Sequence, residues 1–265
     1  MEDSYKKHER NTSFTWLQPP APYQLVTEAQ ARLYREDGGF VLRDVFSKEE
    51  LKLVLADLDQ AELAANEAVR GTDANQPSIS RADEIVFSAH VVARSRVARE
   101  FSKHPKLVAL CQDLIGPKVR LYWDQLVYKR PGTPDEFPWH QDNGYTFIEP
   151  QQYLTCWIAM NDATIENGCP WIAPGVHKQG TLHHEWTPLG FKCLEAVRDA
   201  RPLSVPAGSI AVFSSLTPHR TGPNSTAGVR KAYILQYAAD GAVQRPRGTN
   251  EAVPCDAPER QYLIC

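Results

Sequence analysis

Long hydrophobic runs are missing from this chain. No apolar stretch approaches the roughly 20 residues that a membrane-spanning helix requires. The segment Met1 to Arg10 is polar and has no signal-peptide core. The last residues, Tyr262 to Cys265, are not a peroxisomal Ser-Lys-Leu signal. The chain also lacks an excess of charge of one sign. Its formal net charge is -3, so neither a nucleic-acid backbone nor an anionic membrane is expected as its main partner. The 6 cysteines form no Cys-x-x-Cys pair. Together these absences predict a cytoplasmic protein with reduced thiols, and Cys156, inside an apolar run, reads as plain core. There is no internal repeat and no low-complexity segment.

What is present fits one large domain with appendages. The chain has 265 residues, 42% of them hydrophobic and 23% charged, which is ordinary for a folded domain. Residues 1–26 are polar and then proline-rich, and read as an arm lying on the domain. Residues 27–265 read as a single domain. Within it, 27–118 supply helical support and a lid, 119–240 the main β-structure, and 241–265 a C-terminal tail.

Thr27 with Gln30, and Ser47 with Glu50, are capping boxes that open two helices. The first runs to about Asp37 and is stopped by Gly38-Gly39. The second presents Leu51, Leu55, Leu58 and Leu63 as an apolar stripe. Phe40–Leu42 is a short strand candidate. Residues 66–84 are polar and read as a loop, either a lid or disordered. Ala93–Leu114 reads as helix, interrupted before Pro105. Alternation over Val119–Tyr128 predicts a strand, and short apolar runs follow at Tyr153–Met160, Ile210–Phe213 and Arg230–Tyr237. Helices followed by many short strands predict a mainly β fold with flanking helices, best matched by a double-stranded β-helix (jelly roll).

The chemistry concentrates around His140-Gln-Asp142, with His219 near the end of a later apolar run and Arg230 beyond it. In an extended segment residues i and i+2 face the same side, so His140 and Asp142 can share one metal ion. Two imidazoles and one carboxylate on one face leave the opposite face open, the arrangement of non-haem Fe(II) oxygenases. His-x-Asp alone is weak. With 8 His and 15 Asp, chance supplies about 0.5 such triplets. The surroundings carry the weight: Phe137-Pro-Trp precedes the motif and Asn143-Gly-Tyr145 follows it, while Thr217-Pro218 leads into His219.

At these residues the chain resembles the phytanoyl-CoA dioxygenase family of Fe(II)/2-oxoglutarate enzymes. The matching segments are Trp139-His-Gln-Asp142, Thr155-Cys-Trp-Ile-Ala159, Glu166-Asn-Gly-Cys-Pro170, Ala173-Pro-Gly-Val-His177, Pro206-Ala-Gly-Ser209 and His219-Arg-Thr-Gly-Pro-Asn224. Arg230 completes an ordered series over roughly residues 120–237. The resemblance implies a jelly roll in which His140, Asp142 and His219 hold Fe(II). Arg230 and Thr221 would hold the far carboxylate of 2-oxoglutarate, Arg230 through its two-pronged guanidinium. It also implies that Trp157 borders this cosubstrate, and that Gln125 or Tyr128 touches it from the preceding strand. On a regular strand these last two face opposite ways, so at most one of them points inward without a bulge. With O2 as the third reactant, the products would be succinate, CO2 and a hydroxylated small molecule.

The chain departs from the family pattern at Glu84-Ile-Val-Phe-Ser-Ala-His90, where relatives carry a cosubstrate-binding Lys. His90 is the candidate substitute. His177 is expected to be structural, and His183-His184-Glu185 an exposed or substrate-facing loop. Residues 66–92 and 177–201 are the expected selectivity segments. No basic cluster demands a coenzyme A phosphate site. Two other readings stay open: a non-catalytic jelly-roll binding protein, and a sibling iron chemistry such as desaturation, epimerisation or halogenation. Asp142 opposes the last, because halogenating relatives carry a small residue there. Oligomeric state has no sequence signal.

Overall fold

Thr27 and Ser47 each accept a hydrogen bond from the amide three residues on, while Gln30 and Glu50 reach back to the cap, so both capping boxes form as expected. The computed structural model describes residues 5–71 and 78–265. In chain order the elements are α1 (Glu28–Asp37), β1 (Gly39–Leu42), α2 (Lys48–Arg70), β2 (Ile85–Ala89), α3 (Arg96–Phe101), α4 (Pro105–Leu114) and β3 (Val119–Lys129). Then come β4 (Phe137–His140), β5 (Phe147–Glu149), β6 (Leu154–Ala159), β7 (Pro170–Ile172), β8 (Glu185–Thr187) and β9 (Gly190–Lys192). The last are β10 (Arg201–Pro202), β11 (Ile210–Ser214), β12 (His219–Thr221), β13 (Arg230–Ala239), β14 (Val243–Arg245) and β15 (Val253–Pro254).

Two antiparallel sheets face each other, as a jelly roll requires. The larger has six strands in the order β1-β11-β6-β13-β3-β2, and the smaller four in the order β10-β7-β12-β4. The outer strands of the larger sheet, β1 and β2, both come from residues before 119, among the helices.

Strand alternation divides the core. Along β6, Leu154, Cys156 and Ile158 point to the helices, where they meet Leu58, Leu110 and Leu114. Trp157 and Ala159 point between the sheets, with Ala211, Phe213, Ala232 and Ile234. The same alternation aims Arg230 and Gln236 of β13 inward, because they share a face with Ala232 and Ile234.

The helix α2 differs from its expected form in two ways. It continues to Arg70, five residues into the stretch read as loop, because Ala61-Glu-Leu-Ala-Ala is rich in strong helix formers. Residues 72–77 of that expected loop lie outside the described residues. The buried stripe is Leu51, Val54, Leu58, Glu62 and Asn66, whereas Leu63 is 59% exposed. Glu62 is tolerated because Arg130 Nη2 pairs with it at 2.6 Å. Leu58→Ala is therefore expected to cost about 2–5 kcal/mol, and Leu63→Ala no more than about 0.5 kcal/mol. Denaturant melts of the two variants check this, and equal losses would refute the assigned stripe.

The N-terminal arm packs on the domain. His8 N–H donates to Thr181 O, and Asn11 Nδ2 donates to the carbonyls of Gln179 and Thr181. The C-terminal segment returns to the larger sheet, where Ile264 N–H donates to Val119 O. No helix among the described residues is long and apolar enough to cross a membrane.

Candidate active site

Strands β4 and β12 are neighbours in the smaller sheet, and their register sets His219 directly opposite His140. Just after β4 the chain turns, and Asp142 opens a 3₁₀ turn to Gly144. One ligand atom from each of His140, Asp142 and His219 falls within 4.8 Å of the others. Asp142 Oδ1 lies 4.0 Å from His140 Nε2 and 3.7 Å from His219 Nε2.

The surroundings pre-set each group. His140 Nδ1 donates to Pro138 O at 2.8 Å, and His219 Nδ1 to Thr217 O at 3.0 Å. With Nδ1 committed, each Nε2 presents its lone pair toward Asp142. Burial pushes the His140 imidazole down to about 3 and the His219 imidazole down to about 4. Both are therefore neutral, the form that ligates metals. Thr155 Oγ1 donates to Asp142 Oδ2 at 2.5 Å, which leaves Oδ1 facing the two imidazoles. Burial raises the Asp142 carboxyl above its ordinary range, opposed first by His140 and then by Thr155 and Gln236. A buried carboxylate between two neutral imidazoles is an incomplete charge arrangement, and a divalent cation would complete it.

The turn itself is fastened from behind. Gln141 is fully buried. Its Nε2 donates to Gly180 O (3.0 Å) and Leu216 O (2.6 Å), and its Oε1 accepts from Leu182 N–H (2.6 Å). Its backbone N–H donates to His184 Nε2 at 2.9 Å, while His184 Nδ1 donates to Leu182 O. Burial pushes the His184 imidazole down to about 3, so it stays neutral and able to accept. A Cβ on Gly144 would lie 2.1 Å from the His184 ring, which requires glycine there. His184 is thus buried under the metal motif and outside the cavity lining, against the expectation of an exposed or substrate-facing loop. His183, 38% exposed on its side chain, fits that expectation better.

His184→Phe keeps a ring but leaves the Gln141 N–H buried without an acceptor, a cost of about 1–3 kcal/mol. Iron affinity is expected to fall about 10- to 100-fold, read from metal retained after desalting. Unchanged retention would show that the turn does not depend on His184.

All three triad residues line a cavity of about 250 Å³ between the sheets, and Arg230 lines the same cavity. Arg230 is fully buried and lies 5.2 Å over the Trp157 ring. Its Nη1 donates to Gly168 O at 3.2 Å, whereas Nε and Nη2 have no partner. Burial lowers its pKa to about 10, so the guanidinium remains charged. Two adjacent unpartnered donors on a buried cation match the two oxygens of a carboxylate. Thr221 lies two residues beyond His219 on β12, about 7 Å along the strand, and also lines the cavity.

The structure brings His140, Asp142, His219, Arg230, Thr221, Trp157 and Gln125 to one cavity. It does not bring Tyr128 there. Tyr128 points to the helix side of β3, and its hydroxyl donates to Asp59 at 2.7 Å. Alternation separates it from Gln125, as expected of residues three apart. His90 is also outside the cavity lining, with its ring edge-on to Trp123. His177 is buried beside Trp16, with Nε2 on Arg35 O, a packing role.

Three further lining residues, Thr155, Gln236 and Tyr122, had no assigned role. The register of β3 against β13 skips Tyr122, a β-bulge that turns Tyr122 and Trp123 both toward the cavity. Of the expected selectivity segments, 78–92 contributes Ile79, Ile85 and Phe87 to the lining, whereas 177–201 contributes no lining residue and backs the site through His184 and Phe191.

Comparison with known proteins gives a family and the same fold. Residues 34–232 match the phytanoyl-CoA dioxygenase (PhyH) family. A probable phytanoyl-CoA dioxygenase of Caenorhabditis elegans is 27% identical over 238 residues, covering 82% of this chain and 76% of the relative. Methylphosphonate hydroxylase of Gimesia maris is 31% identical over 151 residues, 57% of each chain. Among solved structures, the epimerase SnoN in complex with Fe3+, alpha ketoglutarate and nogalamycin RO superposes with a TM-score of 0.74 at 22% identity, over 90% of this chain and 98% of that one. At that identity the superposition speaks for the fold.

Proposed function

From a chain that belongs to the phytanoyl-CoA dioxygenase family, we propose an Fe(II)/2-oxoglutarate-dependent dioxygenase that hydroxylates a small organic metabolite. One observation carries this reading. A His-Asp-His cluster and a buried Arg with two unpartnered donors line one cavity.

His140, Asp142 and His219 would hold the iron. Their donor set fits Fe(II), and the carbonyls of Pro138 and Thr217 keep both imidazoles in the ligating tautomer. Arg230 would hold the distal carboxylate of 2-oxoglutarate through Nε and Nη2, with Thr221 beside it. Trp157, under the guanidinium, keeps water from that charge and makes the contact stronger. Iron, 2-oxoglutarate and O2 together supply the oxidising power, turning a substrate C–H into C–OH with release of succinate and CO2. Phe213, Ile234 and Val127 add apolar surface to the same cavity, which favours a dry site.

Labelling with 18-O2 tests the reaction type once a substrate is in hand. Hydroxylation puts one labelled oxygen into succinate and one into the product. Label in succinate with none in the product would assign desaturation or epimerisation instead. A chlorinated product in high chloride is not expected, because Asp142 occupies the place a halide would need.

A further inference from the structure

The cavity has little positive charge to offer a substrate. Among the described residues, Arg230 is the one Lys or Arg that lines it, and the proposed cosubstrate occupies that cation. Three basic side chains around Arg230 are committed elsewhere. Lys129 Nζ is buried and donates to the carbonyls of Asp135 and Gly222. Arg81 pairs with Glu84 and Asp135. Lys231 sits on the helix side of β13, paired with Asp59. The sequence of residues 72–77 contains no Lys or Arg.

The remaining walls are ring faces and aliphatic groups: Phe87, Phe137, Tyr122, Trp123 and Tyr145, with Ile79 and Ile85 toward β2. The polar groups among them are neutral. Thr146 offers a hydroxyl, and Gln125 an amide whose Oε1 accepts from Trp123 Nε1 at 3.3 Å. Charges at the loaded centre also cancel. A divalent iron and Arg230 balance Asp142 and a doubly charged 2-oxoglutarate, so these four groups carry no net positive charge. An anion placed beside the iron would be desolvated without a counter-charge and would face the Asp142 carboxylate.

We propose that the substrate is an uncharged small molecule with an apolar ring or branched alkyl body and a hydroxyl or carbonyl oxygen. A phosphonate or an acyl-CoA is disfavoured, although relatives carry those names. The rings of Trp123, Tyr122 and Tyr145 hold the body, and Gln125 and Thr146 meet the oxygen. This rests on the Fe(II)/2-oxoglutarate reading, because Arg230 must be taken by the cosubstrate.

A matched pair of probes tests it, 2-phenylethanol and 2-phenylethylphosphonate. Each is titrated anaerobically into protein loaded with Fe(II) and 2-oxoglutarate. Perturbation of the visible absorption of that complex and quenching of tryptophan fluorescence report binding. The alcohol is expected to bind about 100-fold more tightly or better, the penalty for burying an unpaired anion. In Phe87→Arg, a replacement at a partly exposed position of the edge strand β2, the phosphonate is expected to gain at least about 10-fold. Binding of the phosphonate as tight as the alcohol, binding of neither, or no gain in Phe87→Arg would each overturn the proposal. A loaded complex with no visible band counts against the iron reading instead.

Discussion

Asp142→Ala is expected to lose Fe(II) and all turnover while staying folded. Asp142 is one of three groups that converge on a point, and its Oδ1 is the only anionic donor there. Changing the partners of a metal ligand already costs about 10- to 100-fold in affinity, so removing the charged ligand itself should cost more than about 100-fold. The fold should survive for a definite reason. Burial disfavours the Asp142 carboxylate in the metal-free protein, so its removal relieves a desolvation cost. The Gln141 hydrogen bonds that fasten the turn do not involve Asp142. The melting temperature of the metal-free variant is therefore expected at or slightly above that of the metal-free parent. His219→Ala should lose iron in the same way. Either variant retaining iron and full activity would remove the triad from the site.

Arg230→Lys is expected to separate cosubstrate binding from metal binding. Lysine keeps the charge but has no planar fork, so it can make one contact where Nε and Nη2 would make two. A charge-assisted hydrogen bond is worth about 1.5–3 kcal/mol, which puts the rise in KM for 2-oxoglutarate at about 10- to 100-fold. Iron affinity should change little, because Arg230 is not one of the three groups that converge on the metal position. Steady-state kinetics at varied 2-oxoglutarate, beside a metal-retention assay, read both quantities. An unchanged KM would show that Arg230 does not hold the cosubstrate.

Much of this site was legible because strand periodicity is local. Arg230, Ala232, Ile234 and Gln236 share a face by simple alternation, and so do His140 and Asp142. The capping boxes at Thr27 and Ser47 are equally local, three residues from cap to partner, and both formed. What alternation hid was anything set by register or by a partner far along the chain. Tyr122 faces the cavity only because a bulge against β13 interrupts β3. Thr155 meets Asp142 only once β6 lies beside the turn after β4. His184 reads locally as part of an exposed or substrate-facing loop, yet it is buried under Gln141, 43 residues away. Leu63 looked like core because it is apolar, but helical phase puts it on the outer face, while Glu62 is buried through an ion pair with Arg130.

The most direct test is anaerobic addition of Fe(II) and 2-oxoglutarate to the purified protein, followed by admission of O2. The triad and Arg230 in one cavity predict a visible absorption band that needs both components and is lost in Asp142→Ala. On admission of O2, succinate should form with consumption of 2-oxoglutarate, slowly without substrate. A protein that binds neither Fe(II) nor 2-oxoglutarate, or that forms succinate equally well without iron, would contradict it.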